Sequence, residues 1–325
     1  MVETGAVTKH VLSPPAETAP VSPKEQQRLM VAESPVRRVA FSPCGRCLAA
    51  GTREGPIRIL DMETGQGRRV LSGHTGPIEA LIFEDQGVLL VSASRDGTIR
   101  IWDYRSGRCC QIIQAHAFPI LALAISGDGE RLASGDSDGT IKLWQVHPPR
   151  ARMTLKGSEG RVRGVAFNPE ASVLLSAAED GRFRAWSLAT GRSLAVLAGH
   201  RGPVSAWCGS PDRKRIATAG NDGQLRLWGA DEIRCFQTLA SPRHAIHALC
   251  LGSSVIASVD STGHLQLSGL GGSERRRLLT DQVPAPRGTS SLGIAILPRG
   301  DLLAVGGPDR AVRGWTIPPS SVSSD

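Results

Sequence analysis

The sequence predicts an all-β fold in which seven like modules close into a ring. Three observations predict it. A segment centred on Asp-Gly recurs at a fixed spacing. Each period divides into four short apolar runs separated by turn residues. The last period lacks one run, and a spare run stands near the start of the chain.

The recurring segment is Asp96-Gly97-Thr98-Ile99-Arg100-Ile101-Trp102-Asp103. It returns as Asp138-Gly139-Thr140-Ile141-Lys142-Leu143-Trp144, as Asp180-Gly181-Arg182-Phe183-Arg184-Ala185-Trp186 and as Asp222-Gly223-Gln224-Leu225-Arg226-Leu227-Trp228. The aspartates lie 42 residues apart each time. A period of that size marks a repeat architecture. Extending the grid finds three weaker copies. Glu54–Asp61 lies 42 residues before the first unit, Thr262–Leu267 lies 40 after the last, and Asp309–Trp315 follows 47 further on. The extra residues of that last interval fall in Thr280–Ser290, read as a Pro/Gly-rich loop.

Within one unit the runs alternate with turns in the rhythm of an antiparallel sheet. In the second, Ile78–Phe83, Val88–Ala93, Ile99–Asp103 and Cys109–Ile113 read as four strands. Asp96-Gly97 turns the second into the third, because glycine accepts positive φ and aspartate bonds its own turn. Gly107 turns the third into the fourth. The seventh unit has Leu292–Leu297, Leu302–Gly306 and Val312–Ile317 and then meets Pro318-Pro319, so it lacks a fourth strand. Arg28-Leu29-Met30-Val31 is a fourth strand without a unit. Joining the two closes a ring and removes the exposed sheet edges that would template aggregation.

Composition agrees with one folded array. Hydrophobic residues make up 40% and charged residues 21%, too few charges for a disordered chain. Residues 1–25 are rich in Pro, Ser and Thr and read as a disordered tail, with Ser13-Pro14 and Ser22-Pro23 as candidate phosphorylation sites. The array then occupies 26–318, and 319–325 form a second tail. The net charge of +8 favours acidic partners. Seven cysteines, an odd number off the repeat, read as free thiols of an intracellular protein, cytoplasmic, nuclear or both. Cys44-Gly45-Arg46-Cys47 has no second pair with which to hold zinc, and reads as a hairpin in which Cys44 replaces a turn aspartate. No apolar run approaches membrane-spanning length.

The period, the Asp-Gly turn, the closing Trp-Asp, and Gly73-His74 and Gly199-His200 placed 22 residues before the aspartate resemble the WD-repeat family. Ala115-His116 keeps the same offset. The resemblance runs from about Gln26 to Pro318 and implies a seven-bladed β-propeller. It also implies a protein-protein interaction scaffold, without catalysis, cofactor or metal.

His74, Ser92, Asp96 and Trp102 recur as His116, Ser134, Asp138 and Trp144, and again as His200, Thr218, Asp222 and Trp228. Ser, His and Asp together invite a hydrolase reading. A hydrolase needs one nucleophile in one pocket, not a copy in every sheet, so no residue is assigned a catalytic role. The resemblance implies an internal hydrogen-bond set that ties the loop before strand one to strands two and three. The fourth unit has Ser158 in the histidine position, and the first, sixth and seventh have Ala32, Ala240 and Arg287. Those last three are expected to be the softer sector.

In this family the narrower face often binds peptides through the residue before the turn aspartate and two positions at the start of strand one. By offset, Arg37, Arg53 and Arg95 fall on units one and two, and Arg161 and Arg163 on unit four, interrupted by Glu79 and Glu179. Arginine suits carboxylate or phosphate because its planar fork donates two hydrogen bonds at once. The expected partner is an acidic or phosphorylated protein segment; the plainer alternative is a solvated charged rim. Two other readings stand beside it. Trp102-Asp103-Tyr104-Arg105 resembles the box through which some WD-repeat proteins dock on a cullin-ring ubiquitin ligase adaptor, which would make this a substrate receptor. The charge, with Arg275-Arg276-Arg277, permits an RNA-associated role, although aromatic stacking residues are scarce.

Overall fold

The structure is a computed structural model that describes residues 27–30, 33–240, 244–270, 277–284, 292–297 and 299–317. The proposed tails, Ala32, Arg287, Arg275-Arg276 and the loop residues 285–290 lie outside the described residues.

β1 (Gln27–Met30) stands alone in sequence. Blade one is β2 (Val36–Phe41), β3 (Cys47–Thr52), β4 (Ile57–Asp61) and β5 (Gly67–Leu71). Blade two is β6 (Ile78–Phe83), β7 (Leu89–Ser94), β8 (Thr98–Asp103) and β9 (Arg108–Gln114). Blade three is β10 (Ile120–Ile125), β11 (Arg131–Asp136), β12 (Ile141–Gln145) and β13 (Arg150–Leu155). Blade four is β14 (Val162–Phe167), β15 (Val173–Ala178), β16 (Arg182–Ser187) and β17 (Ser193–Ala198). Blade five is β18 (Val204–Gly209), β19 (Arg215–Gly220), β20 (Gln224–Gly229) and β21 (Arg234–Ala240). Blade six is β22 (Ile246–Leu251), β23 (Val255–Asp260), β24 (His264–Gly269) and β25 (Arg277–Gln282). Blade seven is β26 (Gly293–Ile296), β27 (Leu302–Gly306) and β28 (Ala311–Thr316), with β1 on its outer edge.

Each blade is an antiparallel four-stranded sheet in simple order. Each inner strand contacts the next around the circle, and β2 contacts β26. β1 pairs with β28, Gln27 facing Gly314 and Met30 facing Ala311. The core lies between the blades. Ile57, Ile59 and Leu71 of blade one pack on Phe83, Leu90 and Trp102 of blade two. Strand two ends in small residues because the next blade leans on it. A Cβ on Gly135 would lie 2.4 Å from Val162, and one on Gly306 would lie 2.4 Å from Val36.

Strand limits agree with the periodicity to within one or two residues. One assignment needs correcting. Thr280, Asp281 and Gln282 belong to β25, not to the loop read over Thr280–Ser290. β24 needs an outer partner to satisfy its backbone, and Arg277–Gln282 supplies it.

Six of the seven inner strands carry the same irregularity. Pairing skips one residue at Arg37, Glu79, Leu121, Arg163, Ser205 and His247. A bulge of this kind re-aims a side chain and often sits beside a functional surface. Five of these six side chains, Arg37 being the exception, line the central channel together with Arg38, Trp207, Cys208 and Cys250. The channel cavity is about 250 Å³.

Candidate functional site: the channel mouth and the hydrogen-bond sets behind it

The histidine sets form first, because they hold the turns that carry the mouth. In blade two, His74 Nδ1 lies 2.8 Å from Asp96 Oδ2 and His74 Nε2 lies 2.7 Å from Ser92 Oγ, while Trp102 Nε1 donates to Ser92 Oγ at 2.8 Å. The carboxylate can only accept, so Nδ1 carries the proton. Nε2 bonds the serine hydroxyl, whose oxygen accepts from the indole. Blade five repeats this with His200, Thr218, Asp222 and Trp228. The carboxylate also holds the loop after the histidine, through Thr75 N in blade two and Arg201 N in blade five. Gly97, at φ +79°, closes the turn under the carbonyl of His116, which would lie 2.4 Å from a Cβ there.

Blade three differs from expectation. His116 Nδ1 meets Asp136 Oδ2 at 2.8 Å, not Asp138, which is exposed. Asp136 ends strand two, where blade two has Ser94. Its second oxygen accepts from the backbone of Asp138 and Thr140, both at 2.9 Å. One carboxylate thus does the work of the Ser94 hydroxyl and of the turn aspartate. Ser134 and Trp144 keep their expected places. Burial pulls the His116 and His200 imidazoles below their ordinary value despite the facing carboxylates, so both are neutral at pH 7.

In blades four and seven an arginine meets the turn aspartate instead. Arg184 pairs with Asp180 in blade four, and Arg313 with Asp309 in blade seven, each four residues along the turn. Ser176 still receives the Trp186 indole at 2.9 Å, while the buried Ser158 hydroxyl has no hydrogen-bond partner. Val305 stands in the serine position of blade seven and cannot accept. The Trp315 indole crosses instead to Asp281 of β25, at 2.7 Å. Cys44 occupies a turn position that is aspartate in blades three and five, bonding Ser42 as Asp128 bonds Ser126 and Asp212 bonds Ser210.

The mouth itself is organised by Glu79. Its side chain is 3% exposed, and three guanidiniums reach it. Arg37 Nη2 and Arg95 Nε each lie 2.6 Å from Oε1, and Arg38 Nη2 lies 3.2 Å from Oε2. Arg38 also donates to the Glu79 carbonyl at 2.6 Å. Burial works against the Glu79 charge, but the arginines outweigh it and hold the carboxyl below its usual range. Burial likewise lowers the Arg37 and Arg38 guanidiniums. Three guanidiniums gather on one carboxylate, and the buried Arg37 Nε has no hydrogen-bond partner. Arg53 adds an exposed guanidinium at the lip, beside Glu54. On blade four, Arg163 bonds Glu179 and Arg161 lies 3.9 Å from it.

The sequence-selected rim residues therefore form two clusters, on blades one and two and on blade four. Arg37 differs from expectation in being buried and tied, because the bulge turns it onto Glu79. Arg38 was missed by the offset mapping, although the Arg37-Arg38 doublet signalled it. Trp102 and Asp103 of the suggested docking box have internal roles. Trp102 is buried, and Asp103 accepts from Arg105 N, Ser106 N and Ser106 Oγ. Arg105 alone of the three faces solvent, with its guanidinium 5.9 Å from the Tyr104 ring centre, at the opposite end of β8 from Arg95.

All seven cysteines are free thiols, and among the described residues no cluster of His, Cys, Asp or Glu is arranged to hold a metal. No described helix is long and apolar enough to cross a membrane.

Seven four-stranded sheets around a channel, with repeated His–Ser–Trp ties and a bulge at the mouth, define a seven-bladed β-propeller of the repeat class. The WD domain, G-beta repeat family matches at 65–103, 107–145, 150–187 and 191–229, and the chain belongs to the WD-repeat family. A search among curated proteins gave no significant match. Each matched repeat begins with, or just before, the outer strand of one blade and ends on the third strand of the next. The sequence unit therefore staples neighbouring sheets together. Propellers of this family generally serve as protein-interaction scaffolds.

Proposed function

We propose that the channel mouth of this scaffold binds an acidic or phosphorylated segment of a partner protein. The observation that supports the reading is the Glu79 cluster, where three arginines gather on one carboxylate and Arg53 stands beside them. A cluster of guanidiniums around one carboxylate, fixed on bulged strands of a rigid ring, is pre-organised for an anion. Seven free thiols suit a reducing compartment, so the partner is sought among cytoplasmic and nuclear proteins. No catalytic step is assigned.

The test is retention of acidic and phosphorylated peptide pools on the immobilised full chain. Arg53 and Arg95 are exposed and can be reversed without opening the core. The double change R53E/R95E is expected to weaken retention by about tenfold or more. Unchanged retention would remove the proposal.

A second reading follows from the solvent-facing Arg105. It makes the propeller a substrate receptor that docks on a cullin-ring ligase adaptor through the face opposite the mouth. Adaptor co-purifying with the wild-type chain and lost on Arg105→Ala supports it. A stable partner complex without adaptor rejects it.

A further inference from the structure

Each blade ends in an outer strand, and the far side of such a strand is a sheet edge with unpaired backbone groups. A charged residue on the edge discourages other chains from pairing with it. Six of the seven outer strands carry one: Arg28 in β1, Arg69 in β5, Arg108 in β9, Arg152 in β13, Arg234 in β21 and Arg277 in β25. β17, the outer strand of blade four, has none. It reads Ser193-Leu194-Ala195-Val196-Leu197-Ala198, without charge, proline or glycine. Leu194 is 54% exposed and Val196 51%, while Ala195 and Leu197 pack on the core shared with blade five. Pairing with β16 is regular from Ala195, facing Ala185, to Ala198, facing Arg182, so the outer side of that run is an open template for another strand.

Positive charge frames this uncharged strand. Arg192 immediately precedes it, Arg182 stands opposite Ala198 on β16, and Arg201 follows three residues beyond its end. All three are exposed, and among the described residues none has an acidic partner. Asp180, two residues from Arg182, is committed to Arg184. A second copy of the chain fits this edge poorly. Antiparallel pairing of two β17 strands lays the Arg192 end of one against the Arg201 end of the other, and like charges facing across a sheet destabilise it.

We infer that β17 is a docking edge for an extended segment of a partner protein, about six apolar and β-branched residues with acidic residues at both ends, which adds a fifth strand to blade four. The main chain of the segment bonds the free groups of β17, and its alternate side chains cover Leu194 and Val196. Its acids meet Arg192 at one end and Arg182 and Arg201 at the other. Six residues of strand span about 20 Å, which sets the separation of the two acidic ends. This edge lies on the outer rim of the ring, whereas the mouth is built on the inner strands, so the inference stands apart from the reading of the mouth.

The probes are ten-residue synthetic peptide pools applied to the immobilised full chain. Each has six positions drawn from Val, Ile, Leu and Thr, flanked by paired glutamates, by paired lysines, or by paired glutamates with prolines inside the six. The wild type is expected to retain the glutamate-flanked pool about tenfold over the lysine-flanked pool and to release the proline pool, which cannot donate to an edge. Hydrogen exchange with the retained pool bound is expected to slow at Leu194–Ala198. Val196→Lys, a change at a half-exposed site that leaves thermal melting unchanged, is expected to abolish retention although it adds a positive charge. R182E/R192E is expected to lose the preference for glutamate flanks. Retention undiminished in Val196→Lys, equal retention of the proline pool, or slowed exchange at the mouth instead of β17 overturns strand addition. Equal retention of the lysine-flanked pool overturns the acidic ends. Concentration-dependent dimers in sedimentation, with β17 protected in the absence of peptide, overturn the partner segment in favour of a second copy. No retention of any pool overturns the inference.

Discussion

Blades two, three and five and blades one, four, six and seven meet the same requirement by different chemistry. In the first group a histidine bridges a carboxylate and a hydroxyl, and the hydroxyl receives a buried indole. In the second no such bridge is seen among the described residues. Blades four and seven use an Asp–Arg pair, and blade six caps its turn with Asp260, which accepts from Thr262 and His264. Blade one has Thr52 bonded to the Pro56 carbonyl at 2.8 Å, and Leu60 in the tryptophan position. The difference teaches that the ring does not demand one side-chain set. It demands that each buried polar group find a partner and that each turn be held. The four matched repeats end on blades two to five, and the unmatched blades flank the closing seam.

The seam offers the largest test of this contrast. Deleting residues 1–33 removes β1 and opens the edge of β28. Thermal melting is expected to fall on the order of 10 °C. Deleting only 1–22 is expected to leave it unchanged. Equal melting of the two truncations would show that β1 contributes nothing to closure. Hydrogen exchange under native conditions is expected to be faster in blades one, six and seven than in blades two, three and five. Uniform protection would dissolve the distinction.

Serine substitutions grade the sets themselves. Ser92→Ala strands both His74 Nε2 and the Trp102 indole, whereas Ser176→Ala strands only the Trp186 indole. Each orphaned buried group costs about 1–3 kcal/mol, so Ser92→Ala should lower the denaturation midpoint further. Equal losses would mean that the histidine bond adds nothing. In blade three, Asp136→Ala is expected to cost about 1–3 kcal/mol, and Asp138→Ala about 0.5 kcal/mol or less. The reverse order would restore the turn aspartate to the set.

Acidification gives the smallest effect. His116 and His200 have folded values below their unfolded ones, so between the two values the unfolded chain binds more protons. Stability therefore falls as pH drops from 7 through about 6.5 and below. The lowered carboxyls of Glu79, Asp180 and Asp222 add their loss only below about pH 4.5. Replacing both histidines with glutamine should flatten the slope between pH 7 and 5. An unchanged slope would show that these imidazoles titrate alike in the folded and unfolded chain.

Much of the frame was legible. Asp-Gly turns, small residues on strand two and the recurring tryptophan are local features at constant offsets, and pattern alone locates them. The exceptions were legible only in part. Asp136 stands at the Ser94 offset, yet only the spatial reach of a two-oxygen side chain shows that it displaces Asp138. Arg184 and Arg313 lie four residues from their aspartates, a spacing visible in sequence, but only the folded turn brings each pair into contact. The Trp315–Asp281 bond joins blade seven to blade six across a segment in which the repeat loses its period.

The number of modules, their pitch and the residues that turn each strand follow from local conformational preference and burial of alternate side chains, so the sequence determined them without further information. Which charges meet did not follow. Glu79 gathers Arg37 and Arg38 from 42 and 41 residues away because a bulge re-aims a side chain and neighbouring sheets press their inner strands together. Such partnerships depend on distances between blades, and only the closed ring sets those distances.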